Sequence, residues 1–418
     1  MALLSDTVRR LVAIGLCGRS TRQNRVRTAE RRAGTVHPHA PSLPLGSHRR
    51  VVQMINLSAS AEDAELSELA RSVGVKVLEP AARAAEIGGR YPEDVWAKLA
   101  ATGLAGGYLD GGADSIPTAA AHVRIVESLA YGDGGLTMAA VWSGAAELLL
   151  AAHGSAEQIE AARGAGRPSL ALYEGFGRAP GEYRTTIVTV PAGVRVVGTK
   201  VAVAFGDEAD PLVVVGQDPD TGGLRAVVTR VSTPGVDAAA PVGPLALGAG
   251  RLTEVRFDAT IDASALVGGT EIAPAALLSS VQRIRLLLAA ALVGTGQHAV
   301  DYAAQYATER IAFGKPIAGF QGVSFPLAEA HMRLDQSRLE VGLAAEALDA
   351  GAGPVNGAVD LAVSYASTAA TEATRTAVQT LGGHGFMVDH PVERWYRTAT
   401  ALSAIDFDAA LSPFTPAV

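Results

Sequence analysis

Apolar residues recur every three or four positions from Ala61 to about Ala162, the period of helices with one buried face. "AEDAELSELARSVGVKVLEPAARAA" and "PEDVWAKLAATGL" both carry it; Pro92 suits a first helical turn, and the glycines behind that helix suit its stop. "AAAHVRIVESLAYGDGG" continues the pattern, and "LTMAAVWSGAAELLLAAHG" is apolar almost all round, which predicts a buried helix. The period then shortens. From "PSLALYEGF" to about Gly269 the runs "TTIVTV", "VRVVGTKVAVAF", "PLVVVGQ", "LRAVVTRV" and "LTEVRFDA" alternate, with Gly, Pro and Asp between them. From Ile272 to Ala404 long alanine-rich helical stretches return. The pattern predicts a multidomain α+β chain: a leader over 1–53, an N-terminal α-helical domain over 54–167, a middle antiparallel β-barrel or sandwich over 168–270, and a C-terminal four-helix bundle over 271–418.

Composition adds bounds. The chain has 418 residues, 48% apolar and 18% charged, enough for a large core in two or three domains. Every apolar run of about 18 residues is interrupted by polar or helix-breaking positions, so no membrane span is expected. A formal net charge of −7 gives no reason to expect nucleic acid, and the single cysteine, Cys17, excludes a disulfide framework and cysteine-clustered metal sites. A cytoplasmic location is the expectation. Residues 1–53 are rich in arginine, with only Asp6 and Glu30 as acids. Such a leader reads either as a transit peptide or as a start placed too early, with the functional chain beginning at Met54.

One passage invites chemistry. "LGGHGFMVDHPVERWYR", Leu381 to Arg397, breaks a long helical pattern with Gly382, Gly383 and Gly385 and resumes behind Pro391. Glycines there serve as a helix stop, or they let a flat or phosphate-bearing group approach bare backbone.

Two stretches of the bundle resemble the acyl-CoA dehydrogenase family. "ATERIAFGKPIAGFQ" is similar to that family's Arg-x-x-Phe-Gly turn ending in Phe-Gln, and Gln379 with the glycines is similar to its Gln-x-x-Gly-Gly-x-Gly stop. "AAHGSAEQ", "VVGTK", "ADPLVVVGQ" and "LTEVRFDATIDASALVGG" resemble other family segments in order and spacing, so that the resemblance runs from Ser58 to Asp406. It implies an acyl-CoA dehydrogenase-like fold that binds FAD across a subunit boundary, the flavin on one chain's β domain and the ADP half on the partner's bundle. Arg310 would then hold the pyrophosphate, because a planar cation forks onto phosphate oxygens. Phe313 would pack near the adenine and ribose, Gln321 and Gln379 would donate amide hydrogen bonds, and Gly382 and Gly383 would offer backbone N–H groups. Their other readings are an exposed helix-terminal Arg310, a core Phe313 and a glycine helix cap.

The β domain departs from the family pattern. The family's Thr-Glu-Pro-x-Ala-Gly-Ser-Asp is "YEGFGRAP" here, in which only Glu174 persists. Its Gly-Thr-Lys-x-Trp-Ile-Thr is "GTKVAVA", so the tryptophan that stacks on the isoalloxazine becomes Ala202 and the threonine at the flavin edge becomes Ala204. The lost hydrogen bond alone is worth about 1–3 kcal/mol. The family's base glutamate falls on Asp406, one methylene shorter; its alternative site falls on Ile284, before Arg285, a weaker candidate for substrate contact. Asp406 reads equally as the N-cap of a helix over "FDAALSPF".

The resemblance implies an acyl-CoA substrate, an oligomer (a homo- or hetero-dimer or tetramer with an acyl-CoA dehydrogenase subunit) and an electron-accepting flavoprotein. Three functions follow from it. The chain is an FAD-dependent acyl-CoA dehydrogenase with Asp406 as base; or it is a non-catalytic subunit completing the FAD site of a heteromeric dehydrogenase; or, less well matched, it resembles nitroalkane oxidases, which use an aspartate base.

Overall fold

Ser60 starts the helices by accepting the N–H of Asp63 at 3.0 Å. The computed structural model describes residues 60–163, 165–175, 177–241, 245–269, 274–351 and 355–408. The leader over 1–53, the start at Met54 and the expected helix over "FDAALSPF" beyond residue 408 lie outside those residues.

Helix α1 (Ala61–Val73) runs through a π turn, Gly74–Leu78, into α2 (Glu79–Gly88). Next come α3 (Glu93–Ala100), the single turn α4 (Tyr108–Gly111), α5 (Ala119–Gly132), α6 (Gly134–His153) and α7 (Ala156–Arg163). Asp133 caps α6, accepting the N–H of Leu136 at 2.8 Å. At the corner after α6, Ser155 Oγ accepts from Gln158 N (3.2 Å) while Gln158 Oε1 accepts from Ser155 N (3.0 Å), a reciprocal capping box. Gln158 Nε2 also donates to the carbonyls of Ser264 and Leu266, tying α7 to the exit from the sheet.

The middle domain holds β1 (Ser169–Ala171), β2 (Thr186–Val190), β3 (Gly193–Val203), β4 (Leu212–Gln217), β5 (Leu224–Thr229), β6 (Val236–Ala238) and β7 (Thr253–Ile261). They form one seven-stranded sheet ordered β1-β4-β2-β3-β7-β6, with β5 also on β4. The expected antiparallel sheet is mixed in fact: β1 runs parallel to β4, and β2 meets β4 in parallel at Thr186 and Gln217. The short β1 enters from the helical domain and pairs with the third strand after it, a choice that local alternation does not encode. Alternation does set the faces. Along β7 Thr253, Val255, Phe257 and Ala259 are buried while Arg256 and Asp258 face water.

The bundle is α8 (Pro274–Glu309), α9 (Gln321–Asp349), α10 (Asn356–Leu381) and α11 (Val392–Ser403). Helix α8 is its axle, packed against α5, α6, α9, α10 and α11. Its stretch from Ile284 to Gln297 is buried all round, and each buried leucine there contributes about 1.5–3 kcal/mol. Helices α6 and α8 are long and apolar enough to cross a membrane by length and composition, but 83% and 72% of their most apolar windows are buried inside the molecule. Charged ties fasten the bundle to the first domain. Arg394 of α11 pairs with Asp133, and Asp349 at the end of α9 accepts the N–H groups of Ala119 (2.7 Å) and Ala120 (2.9 Å) at the start of α5.

Two histidines are built in neutral. His122 meets Tyr108 Oη at 3.1 Å, and His298 lies between Tyr131 and Trp395, with ring centroids 4.2 Å from each. Burial pushes both down to about 3. A folded pKa below the unfolded value means that the unfolded chain binds more protons between those two values, so stability falls as pH drops through about 6.5 toward 3. We expect each histidine to steepen the loss by up to about 1.4 kcal/mol per pH unit below pH 6. Thermal melts from pH 7.5 to 5 should show His298→Gln flattening that slope; an unchanged slope would mean that His298 does not titrate on unfolding.

Candidate functional site

Helix α8 ends at Glu309, and the chain turns back at once through a two-stranded ribbon, Ile311–Ala312 against Lys315–Pro316. A two-residue turn of this kind needs positive φ at both central positions, and Phe313 (φ 51°) and Gly314 (φ 82°) supply it. Glycine adopts that conformation freely; a phenylalanine there is strained by about 1–2 kcal/mol. The residue is 95% exposed, and its ring meets the edge of Phe320, centroids 6.2 Å apart. Core packing does not explain Phe313, so the expectation of a core residue fails.

Across from this ribbon α10 stops at Leu381. Gly382 takes φ +58°, ψ −130°, which a residue with a Cβ rarely adopts, and Gly385 packs so closely that a Cβ would meet the Val378 carbonyl at 2.4 Å. Gly382 caps α10, its N–H donating to the Gln379 carbonyl, and Gly385 packs against the same helix end; Gly382 and Gly383 face open space, with nothing within 4 Å of an added Cβ. Arg310, Gly382 and Gly383 line one open cleft of 430 Å³ together with Tyr306 and His384, and Tyr306 Oη lies 2.7 Å from His384 Nδ1. The Arg310 side chain makes no ion pair among the described residues. Gln321, which opens α9, and Gln379, three residues before Gly382, are exposed at the same end of the bundle outside the cleft wall.

Arg285 and Asp406 are elsewhere. Arg285, on α8, is fully buried; its Nε donates to Asp406 Oδ1 at 2.9 Å, its Nη2 lies 2.8 Å from the same oxygen, and its Nη1 donates to Asp360 Oδ1 at 2.7 Å and to Gln282 Oε1 at 2.8 Å. Burial opposes the Arg285 charge, but Asp406 and then Asp360 outweigh it and raise its pKa. Burial holds the Asp360 carboxyl above the usual range, with Arg285 pulling the other way. Asp406 is 2% exposed, and its Oδ1 also accepts the N–H of Phe407. Just beyond it the chain seals onto the β domain: Gly177 N donates to the Asp406 carbonyl at 3.0 Å, and Gly177 bridges Phe407. Sequence reasoning missed Asp360. Its signal was a carboxylate on the apolar face of "GAVDLAV", where a charge must have a partner. Arg285, Gln282, Asn356 and Asp360 also form one wall of a 460 Å³ cleft between bundle and β domain.

Ala204 is buried, whereas Ala202 is half-buried. Ala204 and Lys200 are 0% exposed, Tyr173 3% and Tyr183 4%. Lys200 Nζ donates to Glu174 Oε1 (2.7 Å) and to the Leu172 carbonyl (2.8 Å), and sits over the Tyr183 ring at 4.3 Å. Burial pushes Lys200 down to about 8, with Glu174 offsetting part of the shift. Glu174 also accepts the N–H groups of Arg184 and Thr185; burial raises its pKa, but the Lys200 charge and hydrogen bond, helped by these N–H groups, outweigh it and leave the pKa below the usual value. Buried Trp142 of α6 closes on Tyr173 edge-on, centroids 6.4 Å apart. Ala202 sits at a bulge in β3 with φ +53°.

Comparison with known proteins fits this architecture. Residues 60–162 match the acyl-CoA dehydrogenase N-terminal domain, and residues 275–406 match the acyl-CoA dehydrogenase C-terminal domain. An acyl-CoA dehydrogenase of Bacillus subtilis is 35% identical over 231 residues, covering 53% of this chain and 60% of the relative. The probable acyl-CoA dehydrogenase YngJ of the same organism is 28% identical over 82% of this chain and 94% of its own length. The more identical matches are partial; in three curated relatives they span 60%, 54% and 52% of the relative's length. Among solved structures, a glutaryl-CoA dehydrogenase from Mycobacterium smegmatis superposes with a TM-score of 0.71 at 26% identity, over 83% of this chain and 91% of that one. The FAD complex of PigA shares the fold, with a TM-score of 0.73 at 22% identity over 84% and 95%.

The Glu174–Lys200 pair yields a stability test. Glu174→Gln strands a buried ammonium and should destabilise the fold by about 3–5 kcal/mol, whereas Glu174→Leu with Lys200→Met removes both charges and should recover most of the loss. Urea unfolding reads both. A Glu174→Gln midpoint equal to the parent's would show that the pair holds nothing together.

Proposed function

Because the chain belongs to the acyl-CoA dehydrogenase family, we propose that it serves the α,β-dehydrogenation of an acyl-CoA thioester as a subunit that lends its bundle end to FAD held mainly by a neighbouring chain. The carrying observation is the opposite state of the two places where FAD contacts are expected. At the bundle end Arg310 has no ion pair among the described residues, Gly382 and Gly383 face open space, and Phe313 stands strained and 95% exposed. These groups suit a pyrophosphate and an adenosine. In the β domain, Ala202 and Ala204 offer neither a stacking ring nor a hydroxyl. That half does not suit an isoalloxazine.

When bound, FAD supplies the hydride acceptor. This chain's own part is to bind and orient. The Arg310 guanidinium would fork onto phosphate oxygens, and Gly383 would offer its backbone N–H without a Cβ in the way, that of Gly382 being given to the Gln379 carbonyl. Phe313 covers the adenosine, while Gln321 and Gln379 donate amide hydrogen bonds. The base that removes the α-proton belongs to the neighbour, as do the acyl-CoA pocket and the docking of an electron-transferring flavoprotein. In the competing reading this chain is itself catalytic through Asp406. A general base must gain a proton in turnover, and the contact of Asp406 with Arg285 at 2.8 Å stands against that.

The test is FAD content of the chain alone and after co-expression with an acyl-CoA dehydrogenase homologue. We expect little flavin in the chain alone and flavin in the complex. Arg310→Ala should weaken FAD retention by the complex about ten- to a hundredfold, the worth of one charge-assisted contact. Arg310→Lys should recover part of it, because an ammonium cannot form the fork. Full flavin occupancy in the Arg310→Ala complex would overturn the assignment, and stoichiometric flavin in the chain alone would favour the catalytic reading.

A further inference from the structure

We infer that Asp406 is a structural counter-ion: together with Asp360 it holds Arg285 in a buried ion cluster that fastens the chain beyond α11 to the bundle and the β domain, and it does not act as a base. The inference deepens the proposed function and rests on it for its consequence, namely that the base is supplied by a neighbouring chain. Its evidence is independent of Arg310 and of FAD.

The guanidinium hydrogen-bonds through Nε and Nη1, while Nη2 is in ion-pair contact with Asp406 without a hydrogen bond. Nε and Nη2 face Asp406, and Nη1 serves Asp360 and Gln282. Gln282 is fixed in turn, its Nε2 donating to Asn356 Oδ1 at 2.6 Å. The cluster thus joins α8, the start of α10 and the segment after α11. The carbonyl of Asp406 and the bridge from Phe407 to Gly177 carry the connection into the β domain. A carboxylate that works as a base needs a face open to its substrate. Asp406 has none: it is 2% exposed, its Oδ1 is shared by the guanidinium and the N–H of Phe407, and its Oδ2 is sealed without a hydrogen-bond partner among the described residues. Lifting the carboxylate toward a ligand would strand Arg285, which is 0% exposed, with Asp360 alone.

The experiment compares thermal unfolding of the full chain, purified as the wild-type is purified. Asp406→Asn should lower Tm by about 5 °C or more, or prevent recovery of folded protein, because one side of a buried ion cluster has been removed. Arg285→Met combined with Asp360→Asn and Asp406→Asn removes all three charges, and it should regain at least half of that loss or restore folded protein. Asp406→Glu should also lose stability, because the longer arm must disturb a buried ion pair. An Asp406→Asn chain that melts within about 1 °C of the parent would overturn the inference, and so would a triple variant no more stable than Asp406→Asn alone. Neither outcome bears on Arg310, whose own failure would appear as unchanged flavin retention with the melting behaviour as inferred.

Discussion

Everything around the domain junction depends on one buried guanidinium. Arg285 sits in the axle helix of the bundle with no exposure to water, and a lone cation there would be untenable. Two carboxylates and a glutamine answer it, and they come from separate places in the chain: Asp360 lies 75 residues away and Asp406 lies 121. Placing them fixes where α10 starts relative to α8 and where the segment after α11 lands. Because that segment bridges Gly177, the same charge also sets how the bundle meets the sheet. The Lys200–Glu174 pair and the Arg394–Asp133 pair repeat this logic at the sheet and at the first domain. Buried pairs of this kind add little net stability over apolar residues, but they penalise every arrangement that separates the partners.

Much of this was legible in the residues. Periods of three to four positions marked the helices, and the alternation of β7 marked its buried face, because each signal is local to its element. The Phe313–Gly314 turn was legible for the same reason: a two-residue ribbon with positive φ at both positions leaves its mark on neighbouring residues. The parallel pairing of β1 with β4 was not legible, since strand direction is chosen by the path of the chain between domains. Asp360 was missed although its carboxylate on an apolar helix face was visible; what could not be seen was that its partner already served Asp406. The losses at Ala202 and Ala204 were apparent once the family resemblance was in hand. That Trp142 closes on Tyr173 emerges only in three dimensions, because Trp142 comes from α6 and Tyr173 from the segment between β1 and β2.

The two polar regions differ in a way that stability cannot account for. Buried charges must be paired or the fold pays a penalty of several kcal/mol, so the pairing at Arg285 and Lys200 is what folding alone requires. No such requirement acts on Arg310 at the open end of the bundle, where an exposed arginine is close to neutral for stability. Phe313 is harder to explain as chance, since it combines an unfavourable backbone conformation with a large ring in water. Strain maintained without compensation inside the chain points to compensation from outside it. The same end of the molecule carries Gly382 in a conformation suited to glycine and Gly383 over open space. A chain shaped only by its own folding would place its satisfied groups and its strained ones without regard to each other. Here the buried charges answer one another, while the strained Phe313 and the Arg310 side chain, with no ion pair among the described residues, gather at one open end, where a ligand from outside the chain would meet both.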